Sequence, residues 1–306
     1  MTPFFSVIIP VYNRAEDLGQ AIRSVLAQSE QDFEIIVVDD GSSDDPQSVT
    51  GSFADPRIRF HRQANRGGGA ARNTGIDLAR GRFVAFLDSD DAYLPGHLER
   101  MRRLLENSEN TVGYARVVVD RGGGRELLKP PRAIRRGEPM ADYLLCDRGF
   151  VPTITLSVAR ETAARVRYHE NLRAAEDTDF AIRLELAGCH FAMVDAPGAV
   201  WRDLPDPNRT SAGRKGGRMV PWLEEMRPRI SARAYHGCRG WAVAKSVALS
   251  DPPAALRLWL AAVVRGCFRP SLAAVIFLQI FLSDRGYRRL ADGAVRFLRP
   301  GSLPGG

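Results

Sequence analysis

FFSVIIPVY, residues Phe4–Tyr12, is an apolar run interrupted by only one serine and one proline. Such a run is too apolar for a strand with one face in water, so it predicts a strand buried on both faces. FEIIVVDD (Phe33–Asp40) and FVAFLD (Phe83–Asp88) have the same character, whereas RIRFHR (Arg57–Arg62) alternates like a less buried strand. Apolar residues at helical spacing mark Ala15–Gln28 as a helix. This alternation predicts an α/β protein, with a mostly parallel, Rossmann-like sheet and helices on both faces.

The rest of the chain extends this sheet and then becomes helical. A helix that ends at Gly81 follows the third strand. Later we predict a hairpin, a short helix, a strand, an amphipathic helix and two closing strands, at Thr111–Leu128, Met140–Cys146, Thr153–Val158, Glu176–Gly188, Cys189–Val194 and Gly198–Trp201. Residues Asp203–Gly217 are polar and rich in Pro and Gly, as in a loop. Residues after Pro221 have helical patterning, so we expect an α/β domain over 1–215 and a helical C-terminal region over 216–306.

Charge is unevenly distributed along the chain. The net charge is +7, but residues from Trp201 onward hold 18 Lys and Arg against 7 Asp and Glu, a net +11. The first 200 residues hold 25 against 29, a net −4. Such asymmetry predicts that the basic region faces an anionic surface. Zinc-finger, homeodomain and aromatic RNA-binding signatures are absent, so we expect a membrane rather than nucleic acid.

The four cysteines, Cys146, Cys189, Cys238 and Cys267, stand alone without C-x-x-C spacing. Isolated cysteines are typical of reduced thiols in a cytoplasm. No secretory signal precedes Phe4, which favours the same compartment. We therefore expect a cytoplasmic protein.

Polar side chains gather where the buried strands end. The first strand leads into Tyr12 and Asn13, the second ends at Asp39 and Asp40, and the fourth is followed by Asp88, Ser89, Asp90 and Asp91. Ligands of open α/β sheets bind outside the carboxyl ends of the strands. A carboxylate cluster there requires a hard cation, and Mg²⁺ or Mn²⁺ with a substrate diphosphate fits. Arg66, Gly67–Gly69 and Arg72 would complete the phosphate side.

Three other functions use similar patterns. A phosphatase of the haloacid type has D-x-D after its first strand, whereas here the motif follows the fourth. A Rossmann oxidoreductase needs G-x-G-x-x-G after the first strand, where this chain has PVYNRAEDLG. A non-catalytic nucleotide- or carbohydrate-binding relative stays open, although Asp40, Asp90 and Asp177 are all retained.

Four motifs in order resemble the signature of family 2 glycosyltransferases, which have the GT-A fold: SVIIPVYNR, IIVVDDGSSDD, NRGGGAARNTGI and FVAFLDSDD. EDTDFAIRL at Glu176 and VWRD at Val200 match later, weaker elements, so the resemblance covers about two thirds of the chain. It implies an inverting transferase that moves a sugar from a nucleotide-diphosphate sugar, most often UDP-linked. The expected cofactor is Mn²⁺ or Mg²⁺.

The resemblance also assigns roles by position. Tyr12 would line the nucleotide base, and Asp40 would accept a hydrogen bond from it. Asp90 would bind the metal, with Asp88 on the ribose or as a further metal contact. Asp177 would be the general base. The remaining donor-site residues are Pro10, Arg14, Arg66, Arg72, Ser89 and Arg202.

One position departs from the family pattern. Relatives often have a histidine shortly after the arginine that Arg202 matches, and here Asp203-Leu204-Pro205 follows. A third protein ligand for the metal would then come from residues 206–214 or be replaced by water. The five histidines of the chain show no metal-ligand spacing.

Two apolar segments, Ala254–Val264 and Ser271–Leu282, lie in the basic C-terminal region. Both fall short of the roughly 18 to 20 residues that span a bilayer. They either pack against the protein core or a second copy, or insert at a membrane interface with arginines at the lipid head groups. The second interpretation suits a glycan or lipid-linked acceptor in bacterial cell-surface polysaccharide assembly, at the inner face of the plasma membrane.

Overall fold

The computed structural model describes residues 2–108, 110–122, 126–172, 175–203, 219–282 and 286. Contacts between residues divide the chain into two compact units. The first comprises Met1–Leu144 and Arg148–Thr210, and the second comprises Leu145–Asp147 and Ser211–Gly306. The polar segment expected at Asp203–Gly217 lies, apart from Asp203, outside the described residues.

The first unit is built on one mixed sheet. Its described strands are β1 (Phe5–Val11), β2 (Phe33–Asp39), β3 (Ile58–Arg62), β4 (Phe83–Phe86), β5 (Ala92–Tyr93), β6 (Thr111–Asp120), β7 (Glu126–Lys129), β8 (Ser157–Ala159) and β9 (His190–Arg202). Their order in the sheet is β3-β2-β1-β4-β8-β6-β9-β5, with β7 paired to β6. The four strands β3, β2, β1 and β4 are parallel, as the sequence predicts.

Helices join these strands and cover the sheet. The described helices of this unit are α1 (Ala15–Leu26), α2 (Pro46–Gly51), α3 (Gly68–Leu78), α4 (His97–Leu105), α5 (Met140–Cys146, whose last residues belong to the second unit), α6 (Arg160–Val166) and α7 (Glu176–Leu186). Side chains of a strand alternate between the faces of a sheet. Accordingly Val7 and Ile9 pack in one core with Leu18 of α1. Ile8 points to the other face and meets Gly75 of α3, so helices cover both faces.

Two regions differ from the sequence prediction. The strand predicted at Thr153–Val158 is a 3₁₀ turn over Thr153–Thr155 followed by β8. In that turn, the Thr155 hydroxyl accepts from Ala115 N (3.1 Å) and donates to Ala115 O (2.9 Å), which replaces strand pairing. The two predicted closing strands form a single strand, β9, whose register against β6 shifts between Ala115 and Val117.

The described part of the second unit is helical, as expected for residues after Pro221. It contains α8 (Val220–Met226), α9 (Ala232–Cys238), a π-helical turn (Arg239–Val243), α10 (Ala244–Val247), α11 (Pro252–Val264) and α12 (Pro270–Phe281). Its core is made of small and aliphatic residues from these helices together with Cys146. Among the described helices, none combines the length and hydropathy that a membrane crossing requires.

Candidate active site

The loops after β1 and β2 are tied to each other. Asn13, at a left-handed φ of 52°, donates from its backbone N to Ser42 Oγ (3.0 Å) and accepts from Ser43 N at its side-chain oxygen (2.7 Å). Asp39 Oδ1 accepts from Ser42 N (2.9 Å), so this carboxylate caps the turn. Tyr12, directly after β1, has half of its surface exposed. The two connected loops therefore present an aromatic ring beside backbone that is held in place by hydrogen bonds.

Asp40 organises the loop before α3. Its Oδ1 accepts from Gln63 Nε2 (2.8 Å) and from Arg66 N (2.9 Å), and its Oδ2 accepts from Gly67 N (2.7 Å). The carboxylate is almost fully buried, and charge-assisted bonds to backbone N–H groups are strong in such a setting. One carboxylate thus fixes the approach to the N-terminus of α3.

Arg72 lies between the end of β4 and the start of α7. Its Nη2 is 2.6 Å from Asp88 Oδ1, and its Nη1 is 3.7 Å from Glu176 Oε2. Burial would lower the pKa of this guanidinium, but the surrounding negative charges, led by Asp88, raise it far above its ordinary value. Among the described residues its buried Nε has no hydrogen-bond partner. Arg72 is therefore a permanent buried cation that lies next to two carboxylates.

A second arginine pairs with the other carboxylate of the motif. Arg14 Nη1 lies 2.9 Å from Asp90 Oδ2 and 3.6 Å from Asp17 Oδ2. Asp17 Oδ1 in turn is 3.9 Å from Arg202 Nη1. The backbone N of Arg202 donates to Asp91 Oδ1 (2.9 Å), which anchors the end of β9 to the segment between β4 and β5. The structure thus brings Arg14, Asp90 and Arg202 together through Asp17.

The pKa of Asp90 is raised, because burial penalises its charged form and the negative charge of Asp88 adds to that penalty, whereas Arg14 opposes it. Two half-buried carboxylates with oxygen donors suit a hard cation such as Mg²⁺ or Mn²⁺, which would relieve this repulsion. No group of three or more acidic, His or Cys side chains with metal-binding geometry occurs among the described residues. Asp88 and Asp90 would therefore hold the ion together with water or substrate oxygens.

The remaining predicted residues have distinct settings. Asp177 is half-buried in the first turn of α7, and its charge acts on Arg72 and Tyr168. Arg66 is largely exposed, with Nη1 3.7 Å from Glu170 Oε2. Ser89 is buried and Pro10 is half-buried. Asp203, which stands where relatives often have a histidine, receives a hydrogen bond from Arg121 Nε (3.1 Å).

Sequence reasoning assigned no site role to three residues that the structure connects to it: Asp17, Asp91 and Glu176. Asp17 and Glu176 lie in the first turns of α1 and α7, where an acid is ordinarily explained by the helix dipole. The spacing of Arg14 and Asp17, three residues apart at a helix start, was the available signal. Asp91 was visible as the last carboxylate of the run after β4.

The chain is similar in sequence to known proteins over three quarters of its length. The profile of Glycosyl transferase family 2 matches residues 6–169. The amylovoran biosynthesis glycosyltransferase AmsB of Erwinia amylovora is 30% identical over 239 residues, which cover 75% of this chain and 79% of AmsB. The chain belongs to glycosyltransferase family 2, and it is a glycosyltransferase. The resemblance inferred from its four motifs is confirmed.

Solved structures confirm the GT-A fold. Staphylococcus aureus TarS residues 1–349, in complex with UDP-GlcNAc, superposes with a TM-score of 0.65 at 17% identity, over 98% of this chain and 95% of that chain. The mannosyltransferase PcManGT of Pyrobaculum calidifontis, in complex with GDP-Man and Mn²⁺, superposes with a TM-score of 0.58 at 17% identity, over 98% and 81%. The predicted α/β class, with a helical C-terminal region, is therefore confirmed.

Proposed function

We propose that this glycosyltransferase inverts the anomeric centre as it moves a sugar from a nucleotide-diphosphate sugar, UDP-linked in the first instance, to a glycan or lipid-linked acceptor. The observation that carries the proposal is the pairing of Asp88 and Asp90 with Arg72 and Arg14 at the carboxyl end of β4. Opposite charges at one strand end suit a ligand that brings both anionic oxygens and a cation. The bound nucleotide sugars of TarS and PcManGT support this donor class.

The donor would bind across the ends of β1, β2 and β4. Tyr12 offers an exposed ring for the base, and Asp40 holds the loop that borders it. Arg72 supplies a buried N–H that is unpaired among the described residues, and such donors bind phosphate oxygens well. Pro10, Arg14, Arg66, Ser89 and Arg202 complete the proposed donor site. We place the transfer chemistry within residues 1–215.

Asp90 and Asp88 would hold Mn²⁺ or Mg²⁺. A divalent ion stabilises the negative charge of a departing diphosphate, an effect worth several kcal/mol. Arg72 and Arg14 lie on the same carboxylates and add positive charge on the side of the leaving group. The PcManGT complex, which contains Mn²⁺, supports this choice of ion.

Asp177 would act as the general base. Its carboxylate takes the proton of an acceptor hydroxyl while that oxygen forms a bond to the anomeric carbon. The bond from the anomeric carbon to the diphosphate oxygen breaks on the opposite side, and the electron pair leaves with the diphosphate. General-base catalysis of this kind contributes roughly 10²–10⁴-fold to the rate. Inversion follows from attack opposite the leaving group.

The test combines a donor screen with two Asp→Asn substitutions. UDP- and GDP-linked sugars are offered to the wild type, and nucleotide release and transfer are measured. Asp177→Asn should lose at least a hundred-fold in turnover and keep donor affinity, because it removes only the base. Asp195→Asn, the same change at an aspartate of β9 whose side chain is 85% exposed, is the matched control and should keep most activity. Turnover by Asp177→Asn at the wild-type rate would remove Asp177 from this role.

We further propose that the enzyme works in the cytoplasm, beside the inner face of the plasma membrane, in cell-surface polysaccharide assembly. AmsB, the relative described above, is named for amylovoran biosynthesis, which supports an assembly role. The net charge of +11 from Trp201 onward supports proximity to anionic lipid. The phosphatase and oxidoreductase alternatives lose support, because the chain belongs to a glycosyltransferase family.

A further inference from the structure

The helix α11 is apolar on the side that faces water. It buries Ala255 and Ala262, whereas Leu256, Leu260 and Val264 are 39%, 44% and 82% exposed. Residues four apart lie above one another on a helix, so these three side chains form one stripe along it. The solvent side of a surface helix is ordinarily polar. Three large apolar side chains of α11 therefore face outward, where polar ones are expected.

The neighbouring helix α12 extends this pattern. Phe277 and Leu278 are 37% and 38% exposed, although Ile276 and Ile280 of the same helix are buried. Trp259 of α11 packs against Phe277, with ring centroids 5.0 Å apart, and donates from Nε1 to Ala273 O (3.1 Å). The two helices are therefore fixed to each other. We call the exposed side chains the apolar face: Leu256, Leu260, Val264, Phe277 and Leu278.

The charged residues of α11, of α12 and of the loop between them have one sign. Residues 252–282 contain no Asp or Glu and three arginines, Arg257, Arg265 and Arg269, all of them exposed. Arg265 Nη1 donates to Ala261 O (3.0 Å). Across the described residues, neither Arg257 nor Arg269 has a carboxylate within ion-pair distance. In the described part of the chain, the side chains of Arg257 and Arg269 are both exposed to solvent.

This combination favours a lipid surface over a second copy of the chain. Two copies that met through the apolar face would bring arginines close to arginines, with no acid among residues 252–282 to offset the repulsion. An anionic bilayer supplies an apolar interior for the leucines and anionic head groups for the arginines. At about 1.5 Å per residue, α11 is about 20 Å long, too short to cross a hydrocarbon core of about 30 Å. It would lie along the interface.

We propose that the apolar face of α11 and α12 is a membrane-docking surface for anionic lipid. The apolar side chains enter the boundary between head groups and acyl chains, and Arg257, Arg265 and Arg269 contact the head-group phosphates. The inference deepens the proposed location of the enzyme by naming the surface that achieves it. It does not depend on the transfer chemistry or on the donor.

The test uses full-length protein and two kinds of vesicle, phosphatidylcholine alone and phosphatidylcholine with a third of phosphatidylglycerol. Flotation should recover the wild type with the anionic vesicles, and added salt should weaken that binding. Leu256→Gln combined with Leu260→Gln should weaken this binding about ten-fold or more, because the bilayer would no longer bury two leucine side chains. The matched control is Leu127→Gln with Leu128→Gln, which removes two exposed leucines of β7 in the first unit and should leave binding unchanged.

Two further variants separate the components of the proposal. Arg257→Gln with Arg269→Gln should reduce the preference for anionic vesicles and the dependence on salt, because two of the three proposed head-group contacts are lost. Asp90→Asn should bind vesicles like the wild type while it loses the proposed metal site, so failure of the donor proposal and failure of the docking proposal are distinguishable. All of these side chains are at least partly exposed, and unfolding curves verify that each variant folds.

Three results would overturn the proposal. One is wild-type binding that persists when Leu256 and Leu260 are both replaced. Another is equal binding to both kinds of vesicle. The third is an absence of wild-type binding to either kind of vesicle. If the protein is then a dimer that dissociates in the Leu256/Leu260 variant, the face belongs to a second copy of the chain.

Discussion

Arg14 Nη1 lies 2.9 Å from Asp90 Oδ2, so the carboxylate proposed to bind a metal ion already has a cation beside it. Both side chains are mostly buried, with 22% and 24% of their surfaces exposed. Ion pairs in such settings are screened less than those on the surface. A divalent ion that binds Asp90 has to compete with Arg14, which would then be available to the diphosphate. Asp17, 3.6 Å from Arg14, lies ready to keep the released side chain nearby.

Replacing Arg14 by Gln should therefore strengthen binding of Mn²⁺ in the absence of nucleotide. We expect an increase of roughly three- to ten-fold in affinity, since a partly buried ion pair contributes on the order of 1 kcal/mol. Titration of free Mn²⁺ by electron paramagnetic resonance measures this directly. Arg23→Gln, on the same helix, removes an equal charge without touching Asp90 and is the control. Weaker Mn²⁺ binding in Arg14→Gln than in this control would contradict the competition.

Asp40→Asn should destabilise the protein even without a ligand. The carboxylate accepts hydrogen bonds from Gln63, Arg66 and Gly67, and an amide turns one acceptor into a donor that faces an N–H group. We expect a loss of about 1–3 kcal/mol in the free energy of unfolding. Urea unfolding measures it, with Asp44→Asn as control because Asp44 is exposed and accepts from Ala15 N. Equal stability of the two variants would show that Asp40 does not fix the loop.

Gly75→Ala should disturb the packing of α3 on the sheet. A Cβ at this position would overlap Ile8 Cγ2, and Ile8 is fully buried in strand β1. Overpacking of this kind costs about 1–3 kcal/mol, even though alanine is the better helix former. Gly51→Ala is a matched helical control, because no atom lies within 4 Å of its added Cβ. Thermal unfolding should rank Gly75→Ala below the wild type and Gly51→Ala at or above it, and the reverse order would refute this packing.

His97 should make the fold sensitive to acid. The ring is fully buried against Tyr93, with centroids 4.6 Å apart, and neither ring nitrogen has a partner among the described residues. Burial, with a smaller effect of the charge on Arg100, lowers the pKa of His97 to about 3. Since an unfolded histidine titrates near 6.5, protons bind the unfolded state more readily as pH falls from 6.5 toward 3, and stability is lost across that window.

The variant His97→Leu isolates this contribution. The wild type should lose about 2–3 kcal/mol of unfolding free energy from this residue between pH 7 and pH 4.5. His97→Leu should lose correspondingly less over the same interval, whatever its stability at pH 7. Urea unfolding at a series of pH values gives both slopes. Parallel slopes would mean that His97 binds a proton as readily in the folded protein as in the unfolded one.

The sequence predicts the parallel half of the sheet well, because β1, β2 and β4 are short, continuous apolar runs. Such runs are typical of strands that are buried on both faces of a parallel sheet. It predicts the antiparallel part less well. The two-residue strand β5 is too short to leave a pattern. Asp195 and Pro197 punctuate β9, and a Pro-Gly step in a sequence ordinarily ends a strand. Here β9 continues through it, because its extra residues between Val194 and Ala199 bulge opposite Ala115–Val117 of β6 and the pairing then resumes.

At the candidate site, the sequence identifies which side chains follow the strands but not how they pair. Asp88 and Asp90 are two residues apart, but they meet different arginines: Arg72 of α3 and Arg14, the residue before α1. Such pairing depends on the packing of α1 and α3 against the sheet, which one sequence does not encode in any short pattern. The same holds for Asp17, whose partner Arg202 lies at the end of β9.

The proposed function requires that a nucleotide diphosphate and a divalent ion bind together at the carboxyl end of β4. Calorimetric titration of UDP, with and without Mn²⁺, into the wild type and Asp90→Asn measures this binding, with Asp44→Asn as a control. We expect Mn²⁺-dependent binding in the wild type and the control, and its loss in Asp90→Asn. Binding of UDP and Mn²⁺ to Asp90→Asn at wild-type strength would contradict it.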